Sequence, residues 1–405
     1  MMASSASAVA CQLHHPLCPR VAGAMVNTAG GTIVIAGMLD TRTRAHATRT
    51  KPLSLYLQPR AKSTSPVDTR KGPVKNRFAF SWASSSCGVR LAMHTRSKWQ
   101  SLPTEAINPN TLSMDQASTE EIIDLMLQED RKTITAVQRE KARIAIGAEL
   151  ITQSFRTGGR LVFVGAGTSG RLGVLEAAEM LPTFGTPPRL VQAVMAGGRD
   201  AFFKPREGAE DNFEEGGRAV ARLRLTSKDV LIGVSASGLT QFVRGALTRA
   251  RRTGVKIIFV TCWPGTELQT FVDVIIAPAV GPEVIAGSTR LKAGSATKMV
   301  LNMLTTISMV HIGKTYGNLM VDMQTGSEQR RDRARSIITM VTGLDFDSAG
   351  VLLRRARWNV KVAIVMEKTG DTYAKALTRL KRAGDSVRHA IGEDVEPRLR
   401  ERLSR

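Results

Sequence analysis

The rhythm of apolar and polar positions changes three times along the chain. Over residues 1–100 no period of 2 or 3.6 is sustained. At residue 118 a helical period begins. Ser118-Thr119-Glu120-Glu121 supplies a cap and an acidic first turn ahead of Ile122, Ile123, Leu125 and Met126. A further helix is predicted over 134–155, with Ala136, Val137, Ile144, Ile146, Leu150 and Ile151 as its apolar positions and Gly158-Gly159 as its end. Short apolar runs follow at 160–165, 190–195, 229–234, 256–260 and 272–276, with helical stretches between most of them. Runs this short predict strands buried on both faces. Their alternation with helices predicts an α/β fold with a parallel sheet and crossover helices. After residue 325 short helices return, at 332–342, 347–358, 360–366, 372–383 and 387–391. The chain therefore divides into a basic extension (1–100), a helical arm (101–149), an α/β domain (150–325) and a small helical C-terminal domain (326–405).

Charge refines this division. The formal charge is +22, a value that alone suggests nucleic acid. Residues 1–100, however, hold fourteen Lys and Arg against only Asp40 and Asp68, so +12 of the +22 sits in the first quarter. Nucleic acid is not expected as a partner. The opening Met1-Met2-Ala3-Ser4-Ser5-Ala6-Ser7-Ala8 suits an organelle transit peptide, and equally a start codon placed too early, with Met93 or Met114 as the start. No apolar run approaches the roughly 18–20 residues needed to cross a bilayer, so no membrane is expected. Past residue 100 only Cys262, His311 and His389 remain of the cysteines and histidines. They have no metal-ligand spacing and make no disulfide framework, so no metal is expected and a reduced, cytoplasmic compartment is. An organelle replaces the cytoplasm if the extension is a transit peptide.

In parallel sheets ligands bind where the strands end, and three loops stand out there. Gly165-Ala166-Gly167-Thr168-Ser169-Gly170 has the outline of a dinucleotide fingerprint, but the next strand ends in Met195-Ala196-Gly197-Gly198 without the acid a ribose needs. Glycines that admit an anion, hydroxyls at Thr168 and Ser169, and a following helix suit a phosphomonoester better. Ser235-Ala236-Ser237-Gly238-Leu239-Thr240 repeats the pattern after a later strand. Either loop alone reads as an ordinary capped helix start; two on one sheet favour a phosphate seat. Ser288, Thr289, Arg290 and Lys292 precede a third helix and read equally as an anion site or a solvated basic turn. Among carboxylates, Glu176 and Glu179 lie i,i+3 on one helix, and Glu207, Glu210 and Asp211 cluster after Gly197-Gly198. Two carboxylates beside a phosphosugar would supply a base and an acid.

These blocks resemble a known family. Val164-Gly-Ala-Gly-Thr-Ser-Gly-Arg-Leu-Gly-Val174, Pro182-Thr-Phe-Gly185, Glu207-Gly-Ala-Glu-Asp211, Gly281-Pro-Glu-Val284, Gly287-Ser-Thr-Arg-Leu-Lys-Ala-Gly294 and Tyr316-Gly-Asn-Leu-Met-Val-Asp322 are similar to the signature of N-acetylmuramic acid 6-phosphate etherases, in order, over 104–391. The resemblance implies a SIS-type parallel sheet flanked by helices, and a homodimer with active sites near the subunit interface. It implies a cofactor-free lyase reaction on a phosphosugar. Glu179 matches the family's acid and Glu210 its base. Gly167, Thr168, Ser169, Ser235, Ser237, Gly238, Thr240, Ser288, Thr289, Arg290 and Lys292 would bind substrate. Two other readings stay open, a non-catalytic sugar-phosphate sensor and an aldose–ketose phosphosugar isomerase. Retention of both glutamates disfavours the first, and the etherase blocks disfavour the second. The chain departs from the family pattern at Glu176-Ala-Ala-Glu-Met-Leu-Pro182, at Leu239 where an arginine is usual, and at Cys262-Trp263-Pro264. These departures bear on substrate preference rather than reaction class.

Overall fold

The structure, a computed structural model, describes residues 98–404. The expectation for 1–100 falls almost wholly outside them. The first described residues form a string of one-turn 3-10 helices, Lys98–Ser101, Pro103–Glu105, Pro109–Thr111 and Met114–Gln116. Helix α1 (Thr119–Arg139) then opens on a capping box: the Glu121 N–H donates to Ser118 Oγ at 3.3 Å, and the Ser118 N–H donates to the Glu121 carboxylate at 2.7 Å. The helix expected over 134–155 is broken. α1 stops at Glu140, and α2 (Lys141–Arg156) starts beyond it. Glu140 lies at the break with φ −90° and ψ 5°, and its carboxylate accepts the Ala277 N–H at 3.1 Å, a contact spanning 137 residues, and the Arg143 guanidinium at 3.0 Å. Local periodicity contains no trace of that long-range bond.

Five strands make one sheet: β1 (Leu161–Gly165), β2 (Val191–Met195), β3 (Val230–Val234), β4 (Lys256–Val260) and β5 (Val274–Ile276). Their order is β2-β1-β3-β4-β5 and every pairing is parallel. Crossovers are made by α3 (Gly167–Phe184), α4 (Phe213–Arg222) and α5 (Gln241–Arg251), and α6 (Lys292–His311) follows β5. Successive strand residues point to opposite faces. Leu161, Phe163, Ile232, Val234, Ile258 and Val260 pack with α1, α2 and α6, whereas Val162, Val164, Leu231, Ile257 and Phe259 pack with α4 and α5. Each fully buried aliphatic or aromatic side chain stabilises by about 1.5–3 kcal/mol. β1 and β3, buried at every position, are therefore the elements of the sheet most completely held by packing.

A separate core begins at Tyr316 and runs to Val395. It is built by α7 (Glu328–Thr342), α8 (Phe346–Arg355), α9 (Val360–Thr369), α10 (Tyr373–Arg382) and α11 (Val387–Ile391). Helix α9 is its axis, with every residue from Val360 to Met366 buried. Even Lys361 is inside, where its ammonium meets Asp322 at 2.8 Å and the Asp385 carbonyl at 2.9 Å. A last helix, α12 (Glu396–Leu403), went unanticipated: it buries none of its residues, so it carries no apolar period to read. Among the described residues no single helix is long and apolar enough to cross a membrane.

Candidate active site

The strand order reverses at β1. The chain leaves β1 toward β2 on one side and returns on the other to build β3, β4 and β5. The crevice outside the carboxyl ends of β1 and β3 is therefore the topological switch point of an open parallel sheet. Both hydroxyl-rich loops open there. After β1 the chain turns directly into α3, so closely that a Cβ on Gly165 would stand 2.8 Å from the Gly170 nitrogen. That approach brings Thr168 and Ser169 into the first turn of α3, where backbone N–H groups lack helical partners and favour anions. After β3 the loop is tied by its own hydroxyls. Ser235 Oγ and Thr240 Oγ1 are 2.8 Å apart, the Gly238 N–H donates to Ser235 Oγ at 3.1 Å, and the Leu239 N–H donates to Ser237 Oγ at 3.2 Å.

These loops line a cleft of about 330 Å³. Gly167, Thr168, Ser169, Ser237 and Thr240 face it from the sheet side. The segment after β2 adds Glu207 and Glu210, the latter on the short turn Ala209–Asp211. Arg171 adds a cation and is braced: its guanidinium donates to the carbonyls of Ala201 and Phe202, each at 2.8 Å. A cation lining such a cleft raises the local concentration of anions.

The opposite wall is irregular chain. It presents Trp99 and Glu105 from the 3-10 turns ahead of α1 and Thr289 from the loop between β5 and α6. Long-range bonds join the two segments. The Gly287 N–H donates to the Thr104 carbonyl at 3.1 Å, Asn108 Nδ2 to the Pro282 carbonyl at 3.3 Å, and Thr111 Oγ1 to the Val284 carbonyl at 2.9 Å. Leu102 and Thr104 are fully buried beneath it. Behind the wall, the Lys292 ammonium forms a buried ion pair with Glu129, whose other oxygen accepts from Asn110 at 2.9 Å. Burial pushes the Glu129 carboxyl up, but hydrogen bonds from Lys132, Lys292 and Asn110 outweigh it and hold the group at about 2. Glu283, wholly buried, accepts the N–H groups of Lys292 and Ala293, both at 2.9 Å, at the start of α6.

The residues singled out in the sequence thus separate into groups. Thr289 and Glu210 join the hydroxyl loops in the cleft. Ser235 is buried and, with Gly238, shapes its loop from beneath. Ser288 and the exposed Arg290 are not among the cleft residues, and Lys292 points inward to Glu129. Glu179 is exposed on α3, eleven residues past Thr168, or about 16 Å along a helix. Its i−3 neighbour Glu176 does not share that exposure. Glu176 is buried against α6, where it accepts from Asn302 and Thr305, and burial pushes its carboxyl up. Leu239 is buried in the loop rather than aimed at the cleft. Trp99, Glu105, Arg171 and Arg206 escaped sequence reasoning. The only available signal was Arg171, one turn into a helix that begins at a phosphate-type loop.

Other chemistry finds less support. Burial pushes the Cys262 thiol up to about 12, which keeps it protonated and unreactive. Among the described residues no group of three or more His, Cys, Asp or Glu is placed to hold a metal ion.

Comparison with known proteins adds two family models and a set of close relatives. Residues 143–251 match the model described as glucokinase regulatory protein N-terminal SIS domain, and residues 212–307 match the SIS domain. The chain is 47% identical over 296 residues to a protein of Rubrobacter xylanophilus, covering 73% of this chain and 98% of the relative. It is 47% identical over 296 residues to one of Salinibacter ruber, covering 73% and 95%. It is 48% identical over 269 residues to one of Trichormus variabilis, covering 66% and 88%. All three relatives carry the name N-acetylmuramic acid 6-phosphate etherase. Among solved structures, a phosphoheptose isomerase from Francisella tularensis aligns with 49% of this chain and 98% of its own, at 21% identity and a TM-score of 0.38.

Proposed function

The chain belongs to the N-acetylmuramic acid 6-phosphate etherase family, and from that premise we propose how its cleft performs the reaction. The protein is an enzyme, a carbon–oxygen lyase that cleaves the lactyl ether of N-acetylmuramic acid 6-phosphate to N-acetylglucosamine 6-phosphate and D-lactate. The hydroxyls of Thr168, Ser169, Ser237 and Thr240, with the N–H groups at the start of α3, hold the phosphate. Glu210 removes the C2 proton of the open-chain aldehyde, which is acidic because the carbonyl delocalises the resulting charge. The C3–O bond then breaks, and the departing lactate oxygen takes a proton from Glu179. Water adds at C3 of the unsaturated aldehyde and a proton returns to C2. General acid–base catalysis of this kind contributes about 10²–10⁴-fold per group.

The observation that carries this reading is Glu210 lining one cleft with both hydroxyl-rich loops at the switch point. Glu179, so far along α3, requires a second subunit: in a homodimer with sites near the interface, the Glu179 of one chain would serve the cleft of the other. The protein is placed in the cytoplasm by this proposal, or in an organelle if residues 1–100 are a transit peptide. The test is direct. The protein incubated with N-acetylmuramic acid 6-phosphate should release D-lactate in step with N-acetylglucosamine 6-phosphate. Release of a ketose phosphate instead, or binding without turnover, would replace the lyase with an isomerase or a sensor.

A further inference from the structure

Two acidic side chains of the cleft, Glu105 and Glu207, have no part in the reaction, and Glu105 comes from an unexpected part of the chain. Glu105 ends a one-turn helix of the arm, and its carboxylate faces the cleft across from the hydroxyl loops. Among the described residues it has no hydrogen-bond donor or cationic partner. Yet the backbone around it is heavily fixed. Leu102 and Thr104 are buried, and the Thr104 carbonyl accepts the Gly287 N–H at 3.1 Å. A Cβ at Gly287 would stand 2.8 Å from the Glu105 carboxylate, so the carboxylate lies against the loop that carries Thr289. The backbone on either side is thus fixed, while the Glu105 side chain itself is exposed and free to meet a ligand in the cleft.

Its chemistry narrows what that is. An ionised carboxylate only accepts hydrogen bonds. It repels the phosphate and the lactyl carboxylate, both anions, and attracts neutral donors. A sugar phosphate offers such donors along its carbon chain, as hydroxyls. Trp99, on the same wall and half exposed, supplies an aromatic face for the C–H side of that chain. We propose that Glu105 is a specificity-determining residue whose carboxylate accepts hydrogen bonds from the sugar hydroxyls, while the hydroxyl loops opposite hold the phosphate. Selectivity then has two parts. The sheet wall recognises an anion of any kind, and the arm wall recognises that the anion is carried by a polyol.

This inference rests on the proposed function, and its test separates the two. In Glu105→Ala, KM for N-acetylmuramic acid 6-phosphate should rise at least about tenfold, while inhibition by inorganic phosphate keeps its wild-type constant. Glu105→Gln, which retains an acceptor oxygen, should fall between. Melting temperatures of both variants should match wild type. An unchanged KM in Glu105→Ala overturns the inference, as does a phosphate inhibition constant that rises in parallel. If wild-type protein releases no lactate, the proposed function fails and calorimetry decides the inference. Glu105→Ala must then lose affinity for N-acetylglucosamine 6-phosphate and none for inorganic phosphate; equal affinity of wild type and variant for the sugar phosphate overturns it.

Discussion

The two walls of the cleft are built on different principles. The sheet wall stands on β1 and β3, buried at every position, and its loops are local: each is a short run of glycines and hydroxyls between a strand and a helix. The arm wall stands on 3-10 turns and an irregular loop, and what fixes it are bonds between residues more than 170 apart in the chain. On the proposed reading, the strand-ended loops hold the phosphate and the stitched irregular chain meets the rest of the ligand. The difference teaches that one cleft can be walled by a local pattern on one side and by long-range bonds on the other.

The sharpest way to break the comparison is at the chemistry. Glu210→Gln should lower both lactate release and solvent exchange of the C2 proton by about 10²–10⁴-fold. Glu179→Gln should suppress lactate release yet leave C2 exchange in D₂O, because proton abstraction precedes departure. Mixing the two inactive variants should restore about a quarter of wild-type turnover if each site draws one glutamate from each subunit. Full lactate release by either variant removes that residue from its role.

Second in size is removal of the arm wall. A chain starting near Lys98 should keep full activity, and one starting at Met114, which lacks Trp99, Glu105 and the buried Leu102, should lose sugar-phosphate turnover. Equal activity of the two chains would mean that the arm wall contributes nothing to the site.

The support behind that wall comes next. Glu129→Gln leaves the Lys292 ammonium buried without its counter-charge, at a cost of about 3–5 kcal/mol. The effect has a pH signature. Glu129 is held at about 2 when folded, against 4.5 ordinarily, so its contribution is complete above the higher value and fades as pH falls toward the lower. Urea melts from pH 6 to pH 3 should therefore show the wild-type advantage over Glu129→Gln shrinking below about pH 4.5. An advantage that stays constant over that range would exclude the ion pair as its source.

The smallest effect expected is at Ser237. Ser237→Ala removes one of several proposed phosphate donors and should weaken sugar-phosphate binding by about fivefold with little change in melting temperature. Unchanged affinity here and at Thr168, Ser169 and Thr240 would move the phosphate elsewhere.

Legibility in the sequence follows the same divide. The five strands and both hydroxyl loops were readable, because a short apolar run followed by glycine and hydroxyls is a local pattern. Glu210 was readable as part of a cluster, and its proposed role came from resemblance rather than from spacing. Glu105 and Trp99 were not readable: one-turn helices have no period, and the partners that seat them lie far along the chain. The contact of Glu140 with Ala277 and the inward turn of Lys292 were hidden for the same reason, since each involves a partner more than 130 residues away. A basic residue beside a helix start looks like an anion ligand until its counter-charge is found in another helix.

That helix start has a further consequence. The N-terminus of α6 is, by its backbone, as good a seat for an anion as the N-terminus of α3, and it follows a segment rich in hydroxyls and cations. Glu283 already sits there, taking the N–H groups of Lys292 and Ala293. The protein has filled this vacancy with an anion of its own, attached to its own chain. With the α6 start closed from within, the start of α3 is the one of the two whose residues line the cleft.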